Sequence, residues 1–514
     1  MFSTICSGAL QGISAYPVSV EVNIARGLPA FYMVGSLSGE VRESRERVCV
    51  ALKNAGFDMP PSHVTVNLSP ADRKKEGTAF DLPITVGLLA AMDYFPQAAA
   101  ADTLFLGELG LNGEIKKVPG VLPIVQEAAK GGIRQCIVPV DNAGEGAVIP
   151  NISVRGASHI RQVLDFLREK PAQGDEVLPV FKTDSDAGSV EKVTKRMPDF
   201  SQVSGQESAK RAAEIAAAGF HNLLMVGPPG AGKSMIAKRI PGILPQLTLE
   251  ESLEVTAVAS VAGLTGDGQT LITRRPFWNP HHTISQAAFI GGSNSPRPGI
   301  ISLAHRGVLF LDELPEFKRV VLDSLRQPLE ERHVNISRVS GSVSYPSDFM
   351  LVCAMNPCPC GYYPNRNRCR CTELQVKKYM SKISGPILDR IDLCVELEPV
   401  DVTSLQSGER AECSVSIRQR VLMARKRQEE RYAGSVYRSN ADVEAADMDR
   451  YCTLGRKERS CMDKLYNSMQ LSARAYHRIL KVARTIADLE GAEQIGEEHL
   501  LEAVYFRPTQ EYWS

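Results

Sequence analysis

The sequence predicts a multidomain α/β protein: an α+β domain, then a parallel-sheet nucleotide core, then a helical lid. Three observations predict it. Strand-like and helix-like runs are interleaved through residues 1–170. At residue 223 a short apolar strand runs into a glycine-rich loop and a helix, inside a strand–loop–helix order that fills 198–405. Residues 406–514 then read as successive helices, while 171–197, rich in Pro, Asp, Ser and Lys, read as a linker.

Length and charge bound the function. A chain of 514 residues exceeds a single core, so several domains are expected. Lys and Arg total 59, and so do Asp and Glu, so there is no global basic signature. Any DNA contact must come from local patches. No apolar run is long enough to span a membrane, and Met1-Phe2-Ser3-Thr4 lacks the basic start of a signal peptide. Eight of the twelve cysteines are scattered singly, which fits a reducing cytoplasm better than a disulfide framework.

In the first domain, 18–24 alternate apolar and polar residues and predict a strand, as do 63–68 and 136–140. Residues 38–55 and 81–92 predict helices, the second buried. Residues 104–109 and 113–117 predict a strand pair turning at Leu111-Asn112-Gly113. In the third domain, helices are expected at 417–432, 457–469, 472–489 and 496–505.

The nucleotide core holds the chemistry. The strand 223–226 leads into Gly227-Pro228-Pro229-Gly230-Ala231-Gly232-Lys233-Ser234 and a helix at 235–239. This spacing turns backbone N–H groups inward around phosphates and adds the dipole of a helix N-terminus. Lys233 is expected on the β/γ-phosphates of ATP and the Ser234 hydroxyl on Mg²⁺. Residues 307–311 form a second apolar strand ending in Asp312-Glu313. Carboxylates at the C-terminal end of such a strand face the ligand. Asp312 is expected to hold Mg²⁺ and Glu313 to polarise the lytic water. Asn356, at the end of the apolar strand 349–355, is a candidate to orient that water, although an Asn before Pro357 is also an ordinary turn starter.

Cys358, Cys360, Cys369 and Cys371 crowd into one loop, 358–371. Four thiols so close fit a tetrahedral structural Zn²⁺ with no open catalytic position. Reduced thiols or a redox pair are the alternative.

The order of these motifs resembles an AAA+ ATPase, and more narrowly the magnesium-chelatase-like YifB/ComM family. Gly205-Gln206, Lys210 to Gly219, His221-Asn222, Pro280-His281-His282-Thr283, Ile301 to His305, Asp312 to Phe317, Asn356 to Gly361 and Leu471 to Ala475 carry the resemblance across nearly the whole chain. It implies that Arg390, in Leu388-Asp389-Arg390-Ile391-Asp392, is an arginine finger reaching a neighbour's γ-phosphate. It implies that Arg474 is a lid arginine contacting its own subunit's nucleotide. Surface ion pairs are the plain alternative for both. A finger acting in trans implies a homohexamer. The first domain resembles the Lon-protease/ribosomal-S5-like fold, with Ala79 where the nucleophile stands and Leu122 where the lysine stands, which implies a non-proteolytic platform.

Two inserts are candidates for single-stranded or branched DNA. One, 266–298, carries Arg274, Arg275, Phe277, Trp278, His281 and His282. The other, 334–345, reads as a hairpin turning near Gly341, with Arg338 its one cation, and related helicases project such a hairpin into the ring pore. Subunit contacts are the alternative for both. The helix at 417–432 carries Arg418, Arg420, Arg425, Lys426, Arg427 and Arg431, as a solvated face, a subunit interface or a DNA contact. The resemblance implies a cytoplasmic ring motor acting on DNA, with branch migration during natural transformation as its task. A chelatase-like protein-remodelling ATPase is the second reading. A Lon-type protease is disfavoured by Ala79 and Leu122.

Overall fold

A computed structural model describes residues 1–169, 176–182, 198–266, 270–292, 297–338, 341–399 and 411–507. The N-terminal part is built on a seven-stranded mixed sheet. Its strands are β1 (Phe2–Gln11), β2 (Ser14–Ala25), β3 (Ala30–Val34), β4 (His63–Ser69), β5 (Thr103–Phe105), β8 (Gln135–Pro139) and β9 (Ser153–Ala157), ordered β3-β4-β2-β1-β5-β8-β9. The pair expected at 104–117 splits. Thr103–Phe105 joins the large sheet, and only β6 (Glu108–Leu109) and β7 (Ile115–Lys116) pair across the Asn112-Gly113 turn. The helix Asp81–Ala91 is buried along its whole length beneath β1 and β2.

Most of 171–197 lies outside the described residues. The stretch 176–182 does not read as a free linker: Leu178 is buried in the N-terminal core, its carbonyl accepts from Arg155, and Phe181 donates to Val154 on β9. One apolar side chain and two backbone bonds are enough to fasten it there.

The nucleotide core is a five-stranded sheet: β10 (Leu223–Val226), β11 (Phe277–Trp278), β12 (Val308–Leu311), β15 (Met350–Met355) and β16 (Leu393–Glu396), ordered β11-β12-β15-β10-β16. Every pairing is parallel. Leu223 and Met225 enter one core and Leu224 and Val226 the other, and β12 and β15 split in the same way. Both faces are therefore covered, which explains why these strands read as unbroken apolar runs. The first face is shared with the lid helices Ser414–Arg431, Ala473–Glu490 and Glu497–Tyr505. The second carries the hairpin β13 (His333–Arg338)–β14 (Gly341–Pro346) and the cysteine loop.

The N-terminal part is fastened to the core at two places. Helix Leu249–Ala262, opened by a Thr248/Glu251 capping box, sends Leu253 and Ala257 into the cluster of Leu104, Leu122 and Val125. Gly120 N–H donates to the Ser260 carbonyl at 2.9 Å, and Lys117 Nζ to that of Thr265 at 2.6 Å. The β1–β2 turn meets the hairpin, where a Cβ on Gly12 would stand 2.4 Å from Val343 Cγ1.

The lid is held by a buried carboxylate. Asp488 accepts from Arg431, from Arg484 at 3.2 Å and from Asn440 at 2.9 Å. Removing one partner of such a network strands the others in low dielectric. Asp488→Ala is expected to destabilise the lid by about 3 kcal/mol or more, seen as a lower urea midpoint by circular dichroism. An unchanged midpoint would show that the network adds no net stability.

Candidate nucleotide site

The parallel strands all end on one side of the sheet, and the predicted site residues gather there. Gly230 (φ 80°) and Gly232 (φ 92°) take left-handed backbone conformations that a side chain would strain. The loop thereby wraps the amine of Lys233, whose Nζ donates to the carbonyls of Gly227 (2.6 Å) and Pro228 (2.9 Å) and to Asn356 Oδ1 (3.1 Å). Burial pulls this amine down to about 8, against the opposing pull of Asp312 and Glu313. Ser234 Oγ donates to Asp312 Oδ2 at 2.7 Å, and the Glu313 N–H donates to Asp312 Oδ1 at 3.0 Å. Pro229 to Met235, Asp312, Glu313, Met355 and Asn356 line a cavity of about 400 Å³. A buried cation with only its own loop's carbonyls and one amide as partners is matched to an arriving triphosphate. The paired hydroxyl and carboxylate are the oxygen donors Mg²⁺ requires.

Glu313 sits at φ 53°, and its Oε2 lies 3.4 Å from His282 Nδ1. Sequence reasoning placed His282 in a DNA-facing insert, whereas the structure sets it beside the proposed base. The placement follows from the sheet: β11 pairs in parallel with β12, Trp278 opposite Leu309, so residues just past β11 fall beside Asp312-Glu313.

The two arginines gather elsewhere. Asp389, Arg390, Arg474, Arg478 and Lys481 line a separate cleft of about 730 Å³ that shares no residue with the phosphate cavity. Arg390 is paired with Glu330 and with the Pro386 carbonyl, while its Nε has no partner among the described residues. Arg474 lies 3.7 Å from Asp389, and Arg478 donates to the Leu388 and Ile391 carbonyls, which ties the lid helix to the Arg390 loop. Arg474, expected on its own subunit's nucleotide, thus stands with Arg390 in this cleft and does not line the phosphate cavity of its own chain. Asn222, just before β10, fixes this loop by donating to the Arg390 carbonyl and accepting from Leu351 N–H.

Three family models match the chain: magnesium chelatase, subunit ChlI, over 199–405; subunit ChlI of Mg-chelatase over 20–142; and the subunit ChlI C-terminal model over 411–507. Competence protein ComM of Haemophilus influenzae is 42% identical over 504 residues, covering 98% of this chain and 97% of that protein. The uncharacterized YifB proteins of Salmonella typhimurium and Escherichia coli are each 41% identical, covering 97% and 98% of this chain and 96% and 97% of theirs. The chain belongs to the YifB/ComM family.

With membership in the YifB/ComM family comes the magnesium-chelatase-like AAA+ class and, with it, an ATPase. Other features of this YifB/ComM chain can be placed against that. The four cysteine sulfurs lie within 4.8 Å of one another, with Cys358–Cys360 at 3.3 Å, Cys358–Cys369 at 3.8 Å and Cys360–Cys369 at 3.6 Å. A tetrahedron with metal–sulfur bonds of about 2.3 Å has edges near 3.8 Å, so the cluster can hold a metal ion. The loop abuts the nucleotide site, for a Cβ on Gly361 would lie 2.5 Å from Pro229 Cδ.

Among the DNA candidates, Arg274 is exposed and Arg338 ends β13 opposite Gly341. Arg275 is not free to reach a ligand. Its side chain is 6% exposed and bonded to Glu251 and to the Pro245 and Arg306 carbonyls, so it braces the insert from inside. Two arginines of the helix at 417–432 are likewise engaged: Arg420 with Glu214 and Glu412, Arg431 with Asp488. Leu122 is buried in the N-terminal core, with Ala79 packed against the same cluster. No helix among the described residues is long and apolar enough to cross a membrane.

Lys233 yields a pH prediction. In the free site its positive charge is lost as pH rises through about 8, whereas bound phosphates favour the protonated amine. ATP affinity should therefore weaken from about pH 7 to about pH 9, with net proton uptake on binding. Calorimetry in buffers of different ionisation enthalpy measures this. A pH-independent affinity would show that the amine stays charged throughout.

Proposed function

We propose that the chain is a Mg²⁺-dependent ATPase working as a homohexameric ring motor on single-stranded or branched DNA, driving branch migration. The observation that carries the ring is the separation of two clefts, one holding the phosphate-binding groups and the other Arg390 and Arg474. A complete site then needs two copies. The P-loop amides and Lys233 bind the triphosphate, and Ser234 and Asp312 hold Mg²⁺, which neutralises the phosphate oxygens. Asn356 positions the water, Glu313 polarises it, and the next subunit's Arg390 and Arg474 meet the charge on the departing γ-phosphoryl. The cysteine loop holds a structural Zn²⁺. The N-terminal part, with Ala79 and Leu122 in place of a nucleophile and lysine, serves as a non-proteolytic platform.

The DNA reading is supported by the relative named a competence protein and by the Arg274 and Arg338 inserts. The balance of 59 acidic and 59 basic residues favours the second reading, protein remodelling without DNA. ATP turnover measured with no DNA, single strands, duplex and a four-way junction separates them. Stimulation by single strands or the junction, reduced in Arg338→Ala, is expected; turnover indifferent to every DNA would leave the remodelling ATPase.

Two variant sets test the site. Lys233→Ala should lose ATP binding, while Glu313→Gln should keep it and turn over at least about 100-fold slower. Near-normal turnover in Glu313→Gln would remove that residue from its role. Mixing Lys233→Ala with Arg390→Ala subunits should restore activity, because some interfaces then combine two intact halves. Mixing Arg474→Ala with Arg390→Ala should not, because both residues come from the same side. Restoration in that second mixture would return Arg474 to its own subunit's nucleotide.

A further inference from the structure

The chain balances its charges as a whole, but residues 358–386 do not. They hold Arg366, Arg368, Arg370, Lys377, Lys378 and Lys382 against a single carboxylate, Glu373. All six cations are exposed. Arg366 pairs with Glu373 at 3.3 Å and Lys382 with Glu316 at 3.2 Å, whereas Arg368, Arg370, Lys377 and Lys378 pair with no carboxylate among the described residues. This contrasts with Arg275, Arg420 and Arg431, whose charges are spent inside the fold.

The loop and the helix that carry these cations are joined. Arg366 bridges from the cysteine loop to the first turn of helix Glu373–Met380, and Lys377 follows Glu373 by one turn on the same face. The loop is anchored from beneath by buried Cys358, Cys369 and Cys371. Aromatic rings hold the cations in place: Arg368 lies 4.6 Å from the Tyr362 ring centre, Arg366 5.3 Å from that of Tyr363, and Lys382 5.3 Å from that of Tyr379. Cations already ordered on rings lose less freedom on meeting a ligand. Four thiolates around a divalent ion would contribute two negative charges, fewer than the excess of cations.

We infer that the cysteine loop and helix Glu373–Met380 together form a binding surface for the phosphate backbone of single-stranded DNA, distinct from the two inserts. Exposed cations beside aromatic rings suit a flexible polyanion. The inference rests on the reading that the protein works on DNA, and adds where the strand lies.

The test uses the full chain and a fluorescent oligothymidylate, with anisotropy titrations over a range of salt. The variant is Arg370→Gln/Lys377→Gln/Lys378→Gln, with Lys377→Gln/Lys378→Gln as a milder version confined to an exposed helix face. Each lost phosphate contact on a single strand removes about 0.7 from the log–log salt slope, so the triple variant should lose about 2. Affinity at moderate salt should fall at least about 10-fold, with DNA-free ATP turnover and metal content unchanged. An unaltered slope in both variants, with the parent chain binding normally, would overturn the surface while leaving the DNA motor standing. A parent chain that binds no oligonucleotide would sink both. Unchanged DNA binding with lost affinity for a polyglutamate probe would reassign the patch to an acidic protein partner and overturn the inference.

Discussion

Everything at the nucleotide site depends on where one buried amine is held. Lys233 leaves the sheet at the end of β10 and is caught by two carbonyls of its own loop and by Asn356, which belongs to a strand 123 residues later. That third contact exists because β10 and β15 pair in parallel and end together, Val226 opposite Met355. β12 ends on the same side and delivers Asp312 to Ser234. Parallel register thus turns three separate stretches of sequence into one cavity. Reversing any of these strands would leave a loop, an acidic pair and an amide with nothing in common.

This explains what could be read without coordinates. The glycine-rich loop, the acidic pair and Asn356 are local signals, each following an apolar run too short to be anything but a buried strand. The place of Arg474 beside Arg390 was not legible, because it depends on how the helix Ala473–Glu490 docks on the Arg390 loop through Arg478. Strand β1 escaped notice for a different reason. Ser3 and Ser7 occupy inward positions and satisfy their hydroxyls on the Gly87 and Phe105 carbonyls, so the apolar alternation is broken in sequence but not in packing. Arg275 misled because an arginine beside aromatics reads the same whether its guanidinium faces water or three internal acceptors.

The N-terminal part gains a mechanical context from its points of attachment. Helix Leu249–Ala262 is gripped by it on one side, while on the other the helix holds the 266–298 insert through Thr256 and Glu251. The β1–β2 turn sits against Val343 in the hairpin. The described residues of this domain therefore touch the first insert at its root and the hairpin midway along it, and line neither the phosphate cavity nor the arginine cleft. On the proposed platform reading, a body placed there would brace the inserts against the sheet without entering the chemistry, a role that needs neither a nucleophile nor its base.

A similar economy governs the charges. On the proposed DNA reading, a neutral chain cannot rely on its overall field, which is screened within about 8 Å at physiological salt. It must leave selected cations unpaired at the surface while committing the rest to structure. Arg420 and Arg431 of the lid are committed to the buried carboxylates of Glu214 and Asp488, where removal of either partner is destabilising. The cations of the cysteine loop and the helix behind it are not. Their loop shares the β15 terminus with Asn356 and presses Gly361 against Pro229. On the proposed DNA reading, a strand that shifted that loop would act on the same short segment that holds Lys233 through Asn356.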